Sequence, residues 1–281
     1  MKMKKKTIII TSVIAMLLLA FGIWMAWGNV AVTVTEFTVE SADLPDSFSG
    51  FRICQVSDLH NAEFGKDNVR LIDALKNAEP DIIVLTGDLV DRSRTDVAVA
   101  VSFAEQAVSI APTYYISGNH EAALPAAEYA EMKARLASVG VILLENESVI
   151  IEREGEFIRL IGLDDQNFGR IPSNAELTLL MGEKEEFSLL LAHRPRDFAQ
   201  YATCGFDLVF SGHLHGGQFR LPFLGGVYAP SYGFFPEYDG GMYERDGSVM
   251  IVSRGLGNSS FPIRFNNPPE LVVVELVSGG K

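Results

Sequence analysis

Every histidine in this chain follows an apolar run. The runs "FRICQVSD" (51–58), "DIIVLTGD" (81–88), "TYYISGNH" (113–120), "FSLLLAH" (187–193) and "FDLVFSGHLH" (206–215) are rich in β-branched, aromatic and leucine residues. Each finishes on, or just before, aspartate, asparagine or histidine. Near-continuous apolar runs of this length suit strands buried on both faces. Helical spacing lies between them: Val69, Ile72 and Leu75 share one face, a second helix falls around 95–110, and an alanine-rich one around 125–138. Shorter strands are predicted at 148–153 and 157–163, and the chain closes with strands at 248–255 and 270–277. The alternation calls for an α/β domain with helices packed outside the sheet or sheets. In open α/β sheets the carboxyl ends of strands face a common crevice, so the polar residues at these ends should meet.

Asp58 and His60, like His213 and His215, are two residues apart. In an extended segment such pairs point to one side. Each residue also has an ordinary explanation. Asp58 or Asp88 could cap the next helix, Asn119 could sit in a turn, and His193 could be a satisfied loop histidine before Arg194-Pro195. Five such coincidences at matching strand ends are hard to sustain together. The donors exceed what one tetrahedral zinc needs, and a mixed oxygen and nitrogen set suits two first-row ions such as manganese, iron or zinc. A pair of ions sharing a carboxylate is suited to in-line displacement at phosphorus.

In order, "SDLH", "TGDLVD", "SGNHE", "AHRP" and "SGHLHGGQ" follow the pattern D-x-H, G-D, G-N-H-E/D, H, G-H-x-H. The chain therefore resembles the calcineurin-like metallophosphoesterases, a group that includes purple acid phosphatases and UDP-diacylglucosamine hydrolases, over roughly residues 50–277. The segments "FRLPFLGGVYAPSYG" and "VSRGLGNSSFPIRFNNPPELVVVEL" are similar to the bacterial membrane-anchored branch. The resemblance implies a four-layer αββα sandwich. It also implies that Asp58, His60 and His215 hold one divalent ion and Asn119, His193 and His213 a second, with Asp88 bridging. His120 would stand beside the leaving oxygen as a proton donor, Asp91 would orient a ligand from behind, and a hydroxide shared by the ions would be the nucleophile. Asn119 would also touch substrate, and Arg254 and Asn258 are candidates for binding phosphate.

Lys2, Lys4, Lys5 and Lys6 precede an uncharged run long enough to cross a bilayer. It reads as an uncleaved anchor through residues 7–27, although Ala26-x-Gly28 would pass as a signal-cleavage site. The lysines would stay cytoplasmic, which puts the catalytic domain outside the cell membrane on a single-pass anchor. The expected division is 1–28 anchor, 29–48 linker and first strand, and 49–281 catalytic domain.

Removing the four lysines from a formal charge of −13 leaves −17 for the body. Such a field disfavours nucleic acid as a partner. No protein partner is predicted. The two cysteines, Cys54 and Cys204, both read as core positions with free thiols. Residues 219–238, aromatic and nearly uncharged, read either as a packed loop or as an apolar wall facing acyl chains. The leading expectation is thus a two-metal phosphodiesterase or pyrophosphatase acting on a lipid-linked or cell-envelope phosphoester. A phosphomonoesterase with the same site and a non-enzymatic metal-dependent binding protein are the alternatives.

Overall fold

The computed structural model describes residues 2–182, 186–230, 232–259 and 261–279. The expected loop at 219–238, the tail quoted above and the outer limits 1 and 281 each include positions outside the described residues. The N-terminal helix α1 (Lys2–Gly28) leads into β1 (Thr33–Ser41) and β2 (Arg52–Val56). Then α2 (Val69–Ala78), β3 (Ile82–Leu85), α3 (Val97–Val108), β4 (Thr113–Tyr115), α4 (Ala126–Ser138) and β5 (Ile142–Leu143) alternate. The second half continues with β6 (Glu147–Arg153), β7 (Glu156–Gly162), α5 (Asn174–Met181), β8 (Phe187–Leu191), α6 (Phe198–Cys204) and β9 (Leu208–Ser211). Two small hairpins follow, β10 (Arg220–Leu221) with β11 (Gly225–Gly226) and β12 (Tyr228–Ala229) with β13 (Gly233–Phe234). The chain ends with β14 (Gly241–Arg245), β15 (Ser248–Val252) and β16 (Glu270–Ser278).

The strands form two six-stranded sheets, ordered β1-β16-β2-β3-β4-β5 and β14-β15-β9-β8-β7-β6. Alternation along each strand builds the layers. Ile53, Ile82 and Val84 face Leu189, Leu191, Leu208 and Phe210 in the core between the sheets. Their neighbours Cys54, Val56, Ile83 and Leu85 point the other way, onto Leu71, Leu75, Phe103 and Met132 of α2, α3 and α4. On the second sheet Leu190, Val209 and Met250 face Leu177, Phe198 and Tyr201 of α5 and α6. Strands buried on both faces need apolar residues at consecutive positions, which is why these runs are so nearly continuous. The result is the four-layer αββα sandwich.

One detail departs from the sequence reading. Cys204, the last residue of α6, is only half-buried, whereas Cys54 is fully buried; both thiols are free. The first strand expected within residues 29–48 is β1, which pairs in parallel with β16 along its whole length.

That pairing also fixes where the anchor joins. β16 runs antiparallel to β2, with Val272 opposite Gln55, so the first residues of β16 and β1 lie at the end where β2 and β3 finish. In α1 the segment Lys5–Gly28 is long and apolar enough to cross a membrane, with a mean hydropathy of 2.5 and none of its window buried. A core helix of the sandwich is thereby excluded.

Candidate metal centre

The seven residues expected to hold metal converge past the carboxyl ends of β2, β3, β4, β8 and β9, but not through extended backbone. Asp58, His60, Asp88, His213 and His215 all have left-handed φ, between 47° and 75°. The pairs at 58/60 and 213/215 therefore share a side because the chain curls in tight turns after the strand, not because the strand continues. Left-handed backbone is uncommon for residues other than glycine, and its concentration at these ligand positions marks a site where backbone strain is held by surrounding contacts.

Glycines let these turns approach. A Cβ on Gly212 would lie 1.9 Å from Ser57 Oγ and 2.4 Å from Asp58 Oδ2. One on Gly118 would lie 2.2 Å from Asp88 Oδ1. Both carboxylates are thus clamped against bare backbone.

Each carboxylate is held by the protein's own donors, Asp58 through both oxygens, since the His213 N–H also reaches its Oδ1 at 3.2 Å. Asp58 Oδ2 accepts from Ser57 Oγ at 2.6 Å and from the His213 N–H at 3.0 Å. Its Oδ1 faces Nε2 of His215 at 3.5 Å and of His60 at 3.9 Å. Asp88 Oδ1 accepts the His120 N–H at 2.8 Å, while Oδ2 lies 3.7 Å from His60 Nε2 and 3.3 Å from His193 Nε2. Asp88 therefore stands between two clusters. In the first, the Nε2 atoms of His60 and His215 are 3.1 Å apart. In the second, His193 Nε2 is 3.2 Å from both Asn119 Oδ1 and His213 Nδ1.

These separations test whether ions fit. With metal–ligand bonds of about 2.0–2.2 Å, adjacent donors around one ion should be about 2.8–3.6 Å apart. The separations of 3.1–3.5 Å fall in that range, and only the two from His60 Nε2 to Asp58 and Asp88, at 3.9 and 3.7 Å, are slightly longer. In addition, His60 Nδ1 and His213 Nε2 are buried with no hydrogen-bond partner. Leaving a buried polar atom unpaired costs about 1–3 kcal/mol; both atoms lie across the ring from the nitrogen that meets the cluster. Elsewhere the rings are oriented from behind: His193 Nδ1 donates to Thr86 O at 2.8 Å, and His215 Nδ1 faces Gly257 O at 3.3 Å. Such partners direct the opposite nitrogen into the site.

Electrostatics are arranged likewise. Burial pushes His60, His213 and His215 below the ordinary imidazole range, most for the first two, which favours their neutral, ligating form. Burial also pushes the Asp88 carboxyl up, but the bonded His193 and nearby His60 pull it well below the usual range. His193, against the effect of burial, is raised by Asp88 to about 10.

His120 and Asp91 lie beside the first cluster. One ligand atom from each of His60, Asp91 and His120 falls within 4.8 Å of the others. His120 Nδ1 accepts the Arg92 N–H at 3.0 Å, which places the proton of a neutral ring on Nε2, 3.3 Å from Ser259 Oγ. The site opens into a cavity of roughly 310 Å³ lined by Arg92, Asn119, His120, Arg194, Ser259 and Phe261, among others.

Arg254 and Asn258, the candidates for binding phosphate, are not among the residues lining this cavity. Arg254 is held by Glu270, with Nη2 at 2.6 Å from Oε1, and Asn258 braces the tail by bonding Arg264 Nε and Pro262 O. The basic residues that do line it, Arg92 and Arg194, were not singled out by the sequence. Arg194 is fixed by two bonds to Asp165, and Arg92 forms no ion pair among the described residues.

Glu121 was legible only as the last letter of a motif. Fully buried, it accepts the N–H groups of Asp88 (2.8 Å), Val90 (3.2 Å) and Gly118 (2.8 Å), tying together the two loops that carry Asp88 and Asn119. Burial, assisted by Asp88, pushes its carboxyl up to about 7. Glu121→Ala would leave three buried donors unpaired, at about 1–3 kcal/mol each. Calorimetry should show a melting temperature lower by about 6 °C or more. An unchanged temperature would mean that Glu121 does not brace the loops.

Comparison with known proteins agrees with this geometry. The calcineurin-like phosphoesterase family model matches residues 51–217, more than half of the chain. The Bacillus subtilis metallophosphoesterase YkuE is 32% identical over 88% of this chain and 86% of its own. The Escherichia coli phosphodiesterase YaeI is 29% identical over 83% of this chain and 84% of its own. A transmembrane protein with a metallophosphoesterase domain from Bos taurus is 30% identical over 86% of this chain and 56% of its own. With its ordered motifs, two-sheet sandwich and converging ligand clusters, the chain belongs to the calcineurin-like phosphoesterase family of hydrolases.

Proposed function

We propose that the protein is a membrane-anchored phosphodiesterase that uses two divalent ions, manganese, iron or zinc, on a lipid-linked or cell-envelope substrate outside the cytoplasmic membrane. The observation that carries the two-ion reading is Asp88, whose free Oδ2 faces an imidazole of each cluster. Asp58, His60 and His215 would hold one ion, Asn119, His193 and His213 the other, and Asp88 both. When bound, such a pair makes water acidic enough to attack near neutral pH and neutralises phosphoryl charge.

The chain's own groups account for the remaining work. Arg92 and Arg194 flank the cavity and would orient phosphoryl oxygens, offsetting repulsion from an acidic body. Asn119, a neutral ligand, would also contact the substrate. His120 turns Nε2 toward the cavity and, once protonated to the imidazolium, would donate from that atom to the departing oxygen and return to the neutral ring. Asp91, close to His60 and His120, would keep both rings in place. The phosphodiesterase reading is supported by the likeness to YaeI, and the lipid-linked reading by Phe261 and Pro230 at the rim and by α1. Residues 2–28 would be the anchor and residues 29–281 one catalytic unit, with the lysine end of α1 cytoplasmic.

Chelation followed by gel filtration should lower hydrolysis of bis(p-nitrophenyl) phosphate by about a hundredfold or more, and added Mn2+ or Zn2+ should restore it. The same preparation should hydrolyse p-nitrophenyl phosphate more slowly. A metal-free protein of undiminished activity would overturn the two-ion reading, and a preference for the monoester would overturn the phosphodiesterase.

A further inference from the structure

The hairpins between β9 and β14 expose apolar side chains that the sandwich does not use. Phe223 is fully exposed, Phe234 is 73% exposed, and Leu224, Phe235 and Ile263 are each at least half exposed. Large exposed apolar residues grouped in this way mark an interaction surface.

Its position says what it meets. Trp24, in the last two turns of α1, packs edge-on against Phe265 with ring centroids 5.5 Å apart. The junction is pinned by Asn29, whose Oδ1 accepts the Arg264 N–H at 2.7 Å and whose Nδ2 donates to Arg264 O at 3.0 Å. From there aromatic contacts run to the cavity and the hairpin tip. Phe265 pairs with Phe219 through a parallel backbone bridge, the Phe219 ring packs on Phe261 at 6.1 Å, and Tyr228 packs on both Phe261 (6.1 Å) and Phe234 (5.3 Å). Phe261 lines the cavity. The loops are stiffened by Arg220, which bonds Gly216 O and Asp239 O, each at 3.0 Å. Packed aromatic residues and one backbone bridge therefore connect the foot of a membrane-length helix to the wall of the metal-site cavity.

We propose that the hairpin residues 219–230 and 232–235, with residues 261–263, form a collar that inserts into the leaflet from which α1 emerges and holds the mouth of the site against the bilayer. The occupant of this face is thus the lipid surface. The inference rests on α1 crossing a membrane, as argued above. It deepens the substrate reading: phosphoesters at headgroup depth reach the ions, while bulky soluble ones must enter from the side.

The test uses the full-length chain in phospholipid nanodiscs, in a Cys204→Ser background. Single cysteines replacing Phe223, Phe234 or Glu154 carry an environment-sensitive fluorophore. Glu154 lies in the β6–β7 turn at the opposite end of the sheets, a strand length of about 20–30 Å away. Interfacial segments sink about 5–10 Å into the headgroup boundary, so nitroxide lipids should quench the labels at 223 and 234 about twofold more than at 154. Equal quenching at all three sites overturns the proposal. So does shielding of 223 and 234 from both lipid nitroxide and aqueous iodide, which would identify a protein cover. A second variant, Phe223→Ser with Phe234→Ser, should keep its rate on bis(p-nitrophenyl) phosphate and lose about tenfold on a lipid phosphodiester in the disc. Unquenched labels in an enzyme that still cleaves soluble diesters would refute the collar alone. Quenched labels in a protein that cleaves no diester would refute the hydrolase and keep the collar.

Discussion

Asp88→Ala is expected to cut phosphodiester hydrolysis by about a thousandfold or more and to leave fewer than two ions per chain. The size of the effect follows from the two jobs of one side chain. Oδ2 is the only carboxylate oxygen among the described residues placed within 4 Å of imidazoles from both clusters. Oδ1 accepts the His120 N–H at 2.8 Å, and Gly118 has no Cβ so that this oxygen can fit. Alanine would remove the shared anion and also release the loop that carries Asn119 and His120. Asp88→Asn separates these effects, because an amide oxygen can keep the His120 bond while the negative charge is lost. Its melting temperature should stay within a few degrees of the parent, with ion content and activity falling nearly as far as in the alanine variant. Elemental analysis, initial rates and calorimetry on the three proteins decide the matter. Two tightly held ions and normal turnover in Asp88→Asn would show that nothing is shared at this position.

The sandwich was readable because two-sided burial leaves a plain trace. Strand β8 needs apolar groups on consecutive residues, with Leu189 and Leu191 toward one core and Leu190 toward another, and the sequence supplies them. That Asp58, Asp88 and the histidines would gather was readable for a related reason, since polar groups that end such runs have few places to go. Their backbone was not. Asp58, His60, His213 and His215 adopt left-handed turns that glycine would signal and these residues do not. Near neighbours in sequence pointed to Arg254, but Arg254 answers to Glu270, a partner brought to it only when β16 joins the sheet. Arg92 and Arg194 reach the cavity from loops whose course depends on the whole packing. Glu121 illustrates the same limit: three backbone donors from two loops define its role, and no spacing records them. The exposed aromatic hairpins were visible as composition, but only the Trp24–Phe265 contact shows that they sit beside the anchor.

His120→Ala tests the chemistry rather than the assembly. None of the separations that define the two clusters involves a His120 ring nitrogen: its Nδ1 takes the Arg92 N–H, and its Nε2 faces Ser259 and the cavity. Ion content should therefore match the parent. A general acid contributes about 10²–10⁴-fold, and its contribution depends on how badly the departing oxygen needs a proton. Esters with alkyl leaving groups, whose alkoxides are strong bases, should lose that full factor in kcat. p-Nitrophenyl esters, whose phenolate leaves unaided near neutral pH, should lose about tenfold or less. KM should change little for either, because a proton delivered as the bond breaks contributes to the transition state and not to ground-state binding. If both leaving groups suffer equally, His120 is holding the phosphoryl group and some other residue supplies the proton.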